Sequence, residues 1–308
     1  MEKVTALGLP NCYRLSNGTV EAIVTTDVGP RILHYGFCGG ENILGEAPDA
    51  EVKTDYGVWK ARGGHRLWHA PEQMPRTYVP DNDPVECEVL GDRSVRLTQP
   101  VEAPTRVQKE MQVSLDASGT RLVIEHRLTN RNMQHVTFAP WGLTIMDGEE
   151  GGCVILPQEP YVSHDDCLLP ARTMTLWAYT DLSDPRWTLG TKCIRLRVDP
   201  AAAEPQKLGL MNRQGWAAYA RKNELFVTRF PFCEGAKYPD GMANCETYTA
   251  GTFAEIETLG ALQCIMPGMS ARHVEEWHLF ADVAIGETDD AVAATVGPLI
   301  ADTERKHG

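Results

Sequence analysis

Two glutamates separated by one residue are the sharpest chemical feature of this 308-residue chain. In Phe253-Ala254-Glu255-Ile256-Glu257-Thr258-Leu259, strand alternation puts Glu255 and Glu257 on one face and Ile256 on the other. Their backbone positions are then about 6.6 Å apart. On the wall of a buried groove such a pair raises at least one carboxyl pKa, the condition for general acid–base work near neutral pH. On a solvated outer face the same pair is ordinary, and the residues by themselves leave both placements open.

The histidines supply the next candidates. His65-Arg66-Leu67-Trp68-His69 follows Gly63-Gly64. With Glu72, the i, i+4 histidines have the spacing of a zinc-binding helix. Arg66 stands where that motif carries glutamate, Gly63-Gly64 precedes and Pro71 follows, so no helix and no metal site is expected. His65 and His69 are then loop residues that either bond backbone or face a substrate. His164, within Ser163-His164-Asp165-Asp166, is a further candidate, whereas His34, His126, His135, His273 and His278 lie in strand-like contexts and are expected in the core or on the surface. No G-x-S-x-G, phosphate loop or G-x-G-x-x-G occurs, which leaves serine hydrolase, phosphate-loop and dinucleotide chemistry unsupported.

Short period-2 segments bounded by Gly, Asn, Asp and Pro must position these groups. The clearest hairpin joins Met111–Leu115 to Leu122–Leu128 through Asp116-Ala117-Ser118-Gly119. Similar runs at Thr19–Thr25, Lys192–Val198, Trp216–Ala220, Leu225–Phe230, Thr252–Leu259 and His273–Val283 predict an all-β sandwich of about 15–20 strands. One helix is expected near the C-terminus, capped by Thr288, with Asp289 and Asp290 in its first turn and Val292, Val296, Leu299 and Ile300 on one stripe. The tail 304–308 is polar and expected to fray. No repeat or linker divides the chain, which predicts one domain over 1–308.

Two stretches, Tyr56–Asp83 and Pro157–Trp187, read as irregular loops. Long loops inside a β domain usually carry function. Theirs hold Trp68, Tyr161, Trp177 and Trp187, flat rings suited to stacking on the C–H face of a sugar, and at least one of these four is expected to line a groove. Arg31, Arg66, Arg76, Arg172 and Arg186 suit an anionic substituent or an ion pair equally well.

Composition narrows the partners. The net charge is −13, with 43% hydrophobic and 23% charged residues. A carboxylate surplus opposes sequence-independent nucleic-acid binding, while a neutral polyol meets no such repulsion. No apolar run reaches the 18 or more residues of a membrane span, and Met1-Glu2-Lys3-Val4-Thr5-Ala6 is unlike a secretion signal. Nine dispersed cysteines without a C-x-x-C pair read as reduced thiols, which predicts a cytoplasmic protein.

Several of these motifs together resemble the galactose mutarotase-like (aldose 1-epimerase) superfamily, close to an uncharacterised bacterial branch. They are Thr26-Asp27-Val28-Gly29-Pro30-Arg31-Ile32-Leu33 with Asn42-Ile43-Leu44, then Gly63-Gly64-His65, then Leu128-Thr129-Asn130 leading into Val136-Thr137-Phe138. Glu255-Ile256-Glu257-Thr258-Leu259-Gly260, Pro267-Gly268 and Glu276-Trp277-His278-Leu279 complete the set, with Tyr238-Pro239-Asp240-Gly241 and Asp184-Pro185-Arg186-Trp187 typical of the branch. The resemblance implies a β-supersandwich that binds a small-molecule carbohydrate and interconverts its anomers without metal or organic cofactor. It implies Glu257 as catalytic base and makes His65 the first candidate for its acidic partner. Glu255, His69, Arg31, Arg76, His164, Trp177, Arg186 and Trp141 are the expected substrate-binding residues. Trp141 departs from the pattern: it takes the approximate place of the second histidine, the usual acid, and cannot transfer a proton. A sugar-binding protein without catalysis is therefore the main alternative, and an oligosaccharide lyase or hydrolase a weaker one. The identity of the sugar and the oligomeric state are not readable from the sequence.

Overall fold

The computed structural model describes residues 1–304; residues 305–308 of the tail expected to fray lie outside the described residues. The chain forms two large sheets in which every pairing is antiparallel. The first has eleven strands. Its order runs from Glu2–Ala6 through Leu9–Ser16, Val20–Thr25, Arg31–Phe37, His65–Ala70, Val136–Asp147, Phe253–Leu259, Cys245–Ala250 and Gln206–Leu210 to Met174–Leu176, with Gln263–Ile265 pairing Val136–Asp147. The second, of ten strands, has Ser270–Phe280, Leu122–Asn130 and Val107–Leu115 at its centre. A separate hairpin, Glu46–Thr54 with Gly57–Gly63, lies beside the first sheet.

The main core fills the space between the sheets. Ile32, Leu67, Met146 and Ile256 from the first meet Met111, Ile124, Tyr219 and Trp277 from the second. A second apolar cluster covers the other face of the first sheet, where Trp68, Trp141, Leu143 and Leu259 meet Trp59 of the hairpin. The expected helix spans Asp289–Glu304. Thr288 Oγ1 accepts from Ala291 N–H at 3.2 Å, and Val292, Val296 and Ile300 are buried against the outer face of the second sheet. Asp289 also accepts from the backbone N–H groups of Thr191, Lys192 and Cys193, which pins the helix start to that sheet.

The Met111–Leu115 hairpin forms as expected within the longer strands Val107–Leu115 and Leu122–Asn130. Tyr56–Asp83 differs from the loop expected there: it holds two strands, Gly57–Gly63 and His65–Ala70. All six residues of His65–Ala70 are buried, because core packs on both faces of the strand, so no polar alternation marks it. Gly63 and Gly64 both have positive φ, and a Cβ on Gly64 would stand 2.0 Å from the Ile32 carbonyl oxygen. Close strand approach requires these glycines. Pro157–Trp187 is largely irregular, broken by the three-residue strand Met174–Leu176.

Candidate active site

The outer face of the first sheet collects the chemistry. Alternation along five adjacent strands points Arg66 and Trp68, then Trp141 and Leu143, then Glu255 and Glu257, then Glu246 and Tyr248, and finally Lys207 to the same side. The hairpin residues Val52 and Trp59 wall one flank, and Tyr179 stands over the floor. A cavity of 260 Å³ lies above Glu255 and Glu257. A neighbouring one of 280 Å³, between Trp177, Asp240 and Glu246, shares Glu72, Trp141 and Lys207 with it. Gly209 permits this closeness: a Cβ there would stand 3.4 Å from the Trp177 ring and 3.0 Å from the Ala243 side chain.

Glu257 and Glu246 are directly opposite on neighbouring strands, both fully buried, and Lys207 bridges them. Its Nζ lies 2.9 Å from Glu246 Oε2 and 3.0 Å from Glu257 Oε2. The ammonium is also clamped between rings, 5.2 Å from the Trp141 centroid and 4.6 Å from that of Trp177. Such cation–π contacts strengthen when desolvated. Trp141 Nε1 donates to Glu257 Oε2 at 3.0 Å. Glu257 Oε1, also buried, has no hydrogen-bond partner among the described residues. One carboxylate oxygen is thus held twice and the other is free.

Burial pushes both carboxyls up, Glu246 well above the ordinary range, and the neighbouring Glu257 and Asp240 charges push Glu246 further. Lys207 opposes the rise in both. Burial works to lower the Lys207 ammonium, but the Glu257 and Glu246 charges overcome it and hold its pKa well above normal. One cation between two buried carboxyls favours a single shared proton on the acid pair. Glu255 is tied to Arg66, Nη2 to Oε1 at 3.0 Å, and the Arg66 guanidinium lies 4.7 Å from the Trp68 ring centroid.

The residues expected in the site divide between the faces of the sheet. Glu257, Glu255, Trp141 and Trp177 line the groove, as does Trp68. His65 does not. It occupies the opposite parity to Arg66 and Trp68 and points between the sheets, with Nδ1 2.9 Å from Thr144 Oγ1 and Nε2 2.7 Å from His126 Nε2. His69 shares that inner face, stacked on Phe138, with Nε2 3.6 Å from Glu102. Arg76 bonds His69 and the Pro71 carbonyl. Arg31 is fully buried and committed to the Ala61 and Gly63 carbonyls and to Asp81. Arg186 grips Asp184 with two nitrogens, and Trp187 donates to Gln206 from a buried position. His164 and Tyr161 stand exposed on the loop, 88% and 81% respectively. Lys207, Glu246 and Tyr179 were absent from the expected set. Lys207 and Glu246 sit in short buried strands without a motif, and only the pairing of Gln206–Leu210 with Cys245–Ala250 brings them to Glu257.

No protein-family model matches the sequence, and a comparison with curated proteins finds no relative. Solved structures match over most of the chain. A putative aldose 1-epimerase from Escherichia coli K12 superposes with a TM-score of 0.52 at 12% identity, covering 88% of this chain and 99% of that one. A galactose mutarotase-like protein from Lactobacillus casei gives 0.55 at 10% identity, covering 88% and 100%. A putative mutarotase from Salmonella typhimurium gives 0.57 at 14% identity, covering 88% and 90%. Two packed antiparallel sheets with a groove on the outer face of one define an all-β supersandwich. It is the galactose mutarotase-like fold.

Proposed function

We propose that the groove binds a carbohydrate and interconverts its anomers. The observation that carries this reading is the Glu257 carboxylate beneath the cavity, oriented by Trp141 and Lys207 through one oxygen while the other, itself buried, has no hydrogen-bond partner among the described residues. In this reading Glu257 Oε1 takes the proton of the anomeric hydroxyl. The electron pair left on that oxygen forms the carbonyl, the bond from the anomeric carbon to the ring oxygen breaks, and the ring oxygen takes a proton. In this reading Glu246, whose carboxyl burial pushes well above the ordinary range, supplies that proton. Rotation about the bond next to the aldehyde and closure on the other face return both protons. His65, the sequence-based candidate for the acid, is separated from this chemistry by the sheet itself. Trp68 and Trp177 offer apolar faces for the sugar ring, and Arg66 with Glu255 offers donors and acceptors for its hydroxyls.

A second reading is a sugar-binding protein without catalysis, favoured by Lys207, whose ammonium ties up both carboxyls. Saturation-transfer NMR over a panel of neutral aldoses tests binding. Exchange spectroscopy between the α and β signals of any sugar that binds then separates the readings: transfer above the uncatalysed rate supports the epimerase, and binding without transfer selects the alternative.

A further inference from the structure

On the other face of the catalytic sheet, three fully buried side chains converge from remote parts of the chain. His65 comes from the first sheet, and His126 and Glu275 come from adjacent strands of the second. One donor atom from each lies within 4.8 Å of the other two. The two imidazoles face each other through Nε2 at 2.7 Å. We propose that His65, His126 and Glu275 form an interior site for one divalent transition-metal ion of the zinc class, which ties the two sheets together.

The donor set is that of zinc: two imidazole nitrogens and a carboxylate oxygen. Two nitrogens on one tetrahedral zinc ion, each about 2.0–2.1 Å from it, stand about 3.3 Å apart. The rings therefore need to part by only about half an ångström. Two of the three ligands already have outer partners. Thr144 Oγ1 meets the other nitrogen of His65 at 2.9 Å, while Glu275 accepts from the Thr258 hydroxyl at 2.6 Å and from Trp277 Nε1 at 2.8 Å. Partners of this kind fix ring and carboxylate orientation at metal sites.

Charge balance points the same way. Glu275 is fully buried and has only hydroxyl and indole donors, with no lysine or arginine ion pair among the described residues. Burial pushes its carboxyl up to about 7, and a coordinated cation would hold it ionised. Gly142 keeps the space beside it open, because a Cβ there would stand 2.1 Å from Glu275 Oε1 and 3.1 Å from the His65 ring. The groove lies across the sheet, so the ion would staple the fold and take no part in the proposed reaction.

The test is to refold the full chain in chelator, in zinc and in cobalt(II), then measure metal content by mass spectrometry, melting temperature and the cobalt visible spectrum. The expected result is one equivalent retained after dialysis, a melting temperature several degrees above the chelator-refolded protein, and tetrahedral cobalt bands without a thiolate charge-transfer band. His126→Gln and Glu275→Gln, where they fold, should lose the equivalent. Folded wild-type protein with no retained metal and an unchanged melting temperature would overturn the proposal. So would a thiolate band, which places the ion on cysteines, or full metal content in a folded variant.

Discussion

The indole N–H of Trp141 reaches across to the neighbouring strand and donates to Glu257 Oε2 at 3.0 Å. Where the family resemblance leads one to look for a histidine acid, this chain has a fixed donor aimed at the proposed base. A donor to the ionised carboxylate favours that form. Trp141→Phe keeps a ring beside Lys207 but removes the donor, so the Glu257 carboxyl should rise further. The acid limb of the pH–rate profile for anomer exchange should move to higher pH while sugar affinity changes little. An unmoved limb would show that the indole does not tune the base.

Lys207 is the electrostatic keystone of the groove. Lys207→Met leaves two buried carboxyls without their cation, a change that typically costs about 3–5 kcal/mol. Urea unfolding at neutral pH should show a loss of that order. The deficit should shrink in acid, where both carboxyls become neutral. A variant as stable as the wild type at pH 7 would contradict an ionised Glu257 held by the Lys207 ammonium.

Trp177 covers the second cavity and packs over the Lys207 ammonium. If it stacks on the bound sugar, Trp177→Ala should weaken binding roughly tenfold, as expected for losing one aromatic face. Titration calorimetry reads the loss. Trp187→Phe, at a buried site bonded to Gln206, should leave affinity unchanged and lower stability alone.

Acid stability should depend on Glu102. Burial acts to raise its carboxyl, but Lys109, with Nζ 2.6 Å away, and His69 outweigh it and hold the pKa at about 2. A carboxyl depressed on folding stabilises the protein above its unfolded pKa of about 4.3 and loses that contribution as pH falls. The loss should run from about pH 4.5 down towards 2 and amount to on the order of 3 kcal/mol. Glu102→Gln should be less stable at pH 7, since it strands buried Lys109, and its stability should fall less steeply below pH 4.5. An identical acid limb in both proteins would remove Glu102 from the account.

Strand alternation was legible where a turn carried a clear signal, as in the hairpin at Asp116–Gly119, or where charged residues marked one face, as in the pair Glu255/Glu257. It failed at His65–Ala70, where both faces are buried and nothing polar marks the rhythm. His65 was a candidate through the family resemblance, and without a visible strand nothing showed that it takes the parity opposite to Arg66 and Trp68. Lys207 and Glu246 were invisible for a different reason: each is one polar residue in a short buried strand, and their partnership with Glu257 exists only through cross-strand pairing. The arginines were ambiguous by type, and in the structure Arg31 is buried against carbonyls and Asp81, and Arg186 against Asp184.

The central claim is that Glu257 is the base for anomer exchange in this groove. Exchange NMR on a bound aldose, comparing wild type with Glu257→Gln, tests it most directly. The account predicts α/β exchange above the uncatalysed rate in the wild type and a loss of about 10²–10⁴-fold in the variant, with affinity held within a few fold. Exchange at the wild-type rate by a folded Glu257→Gln protein would contradict it.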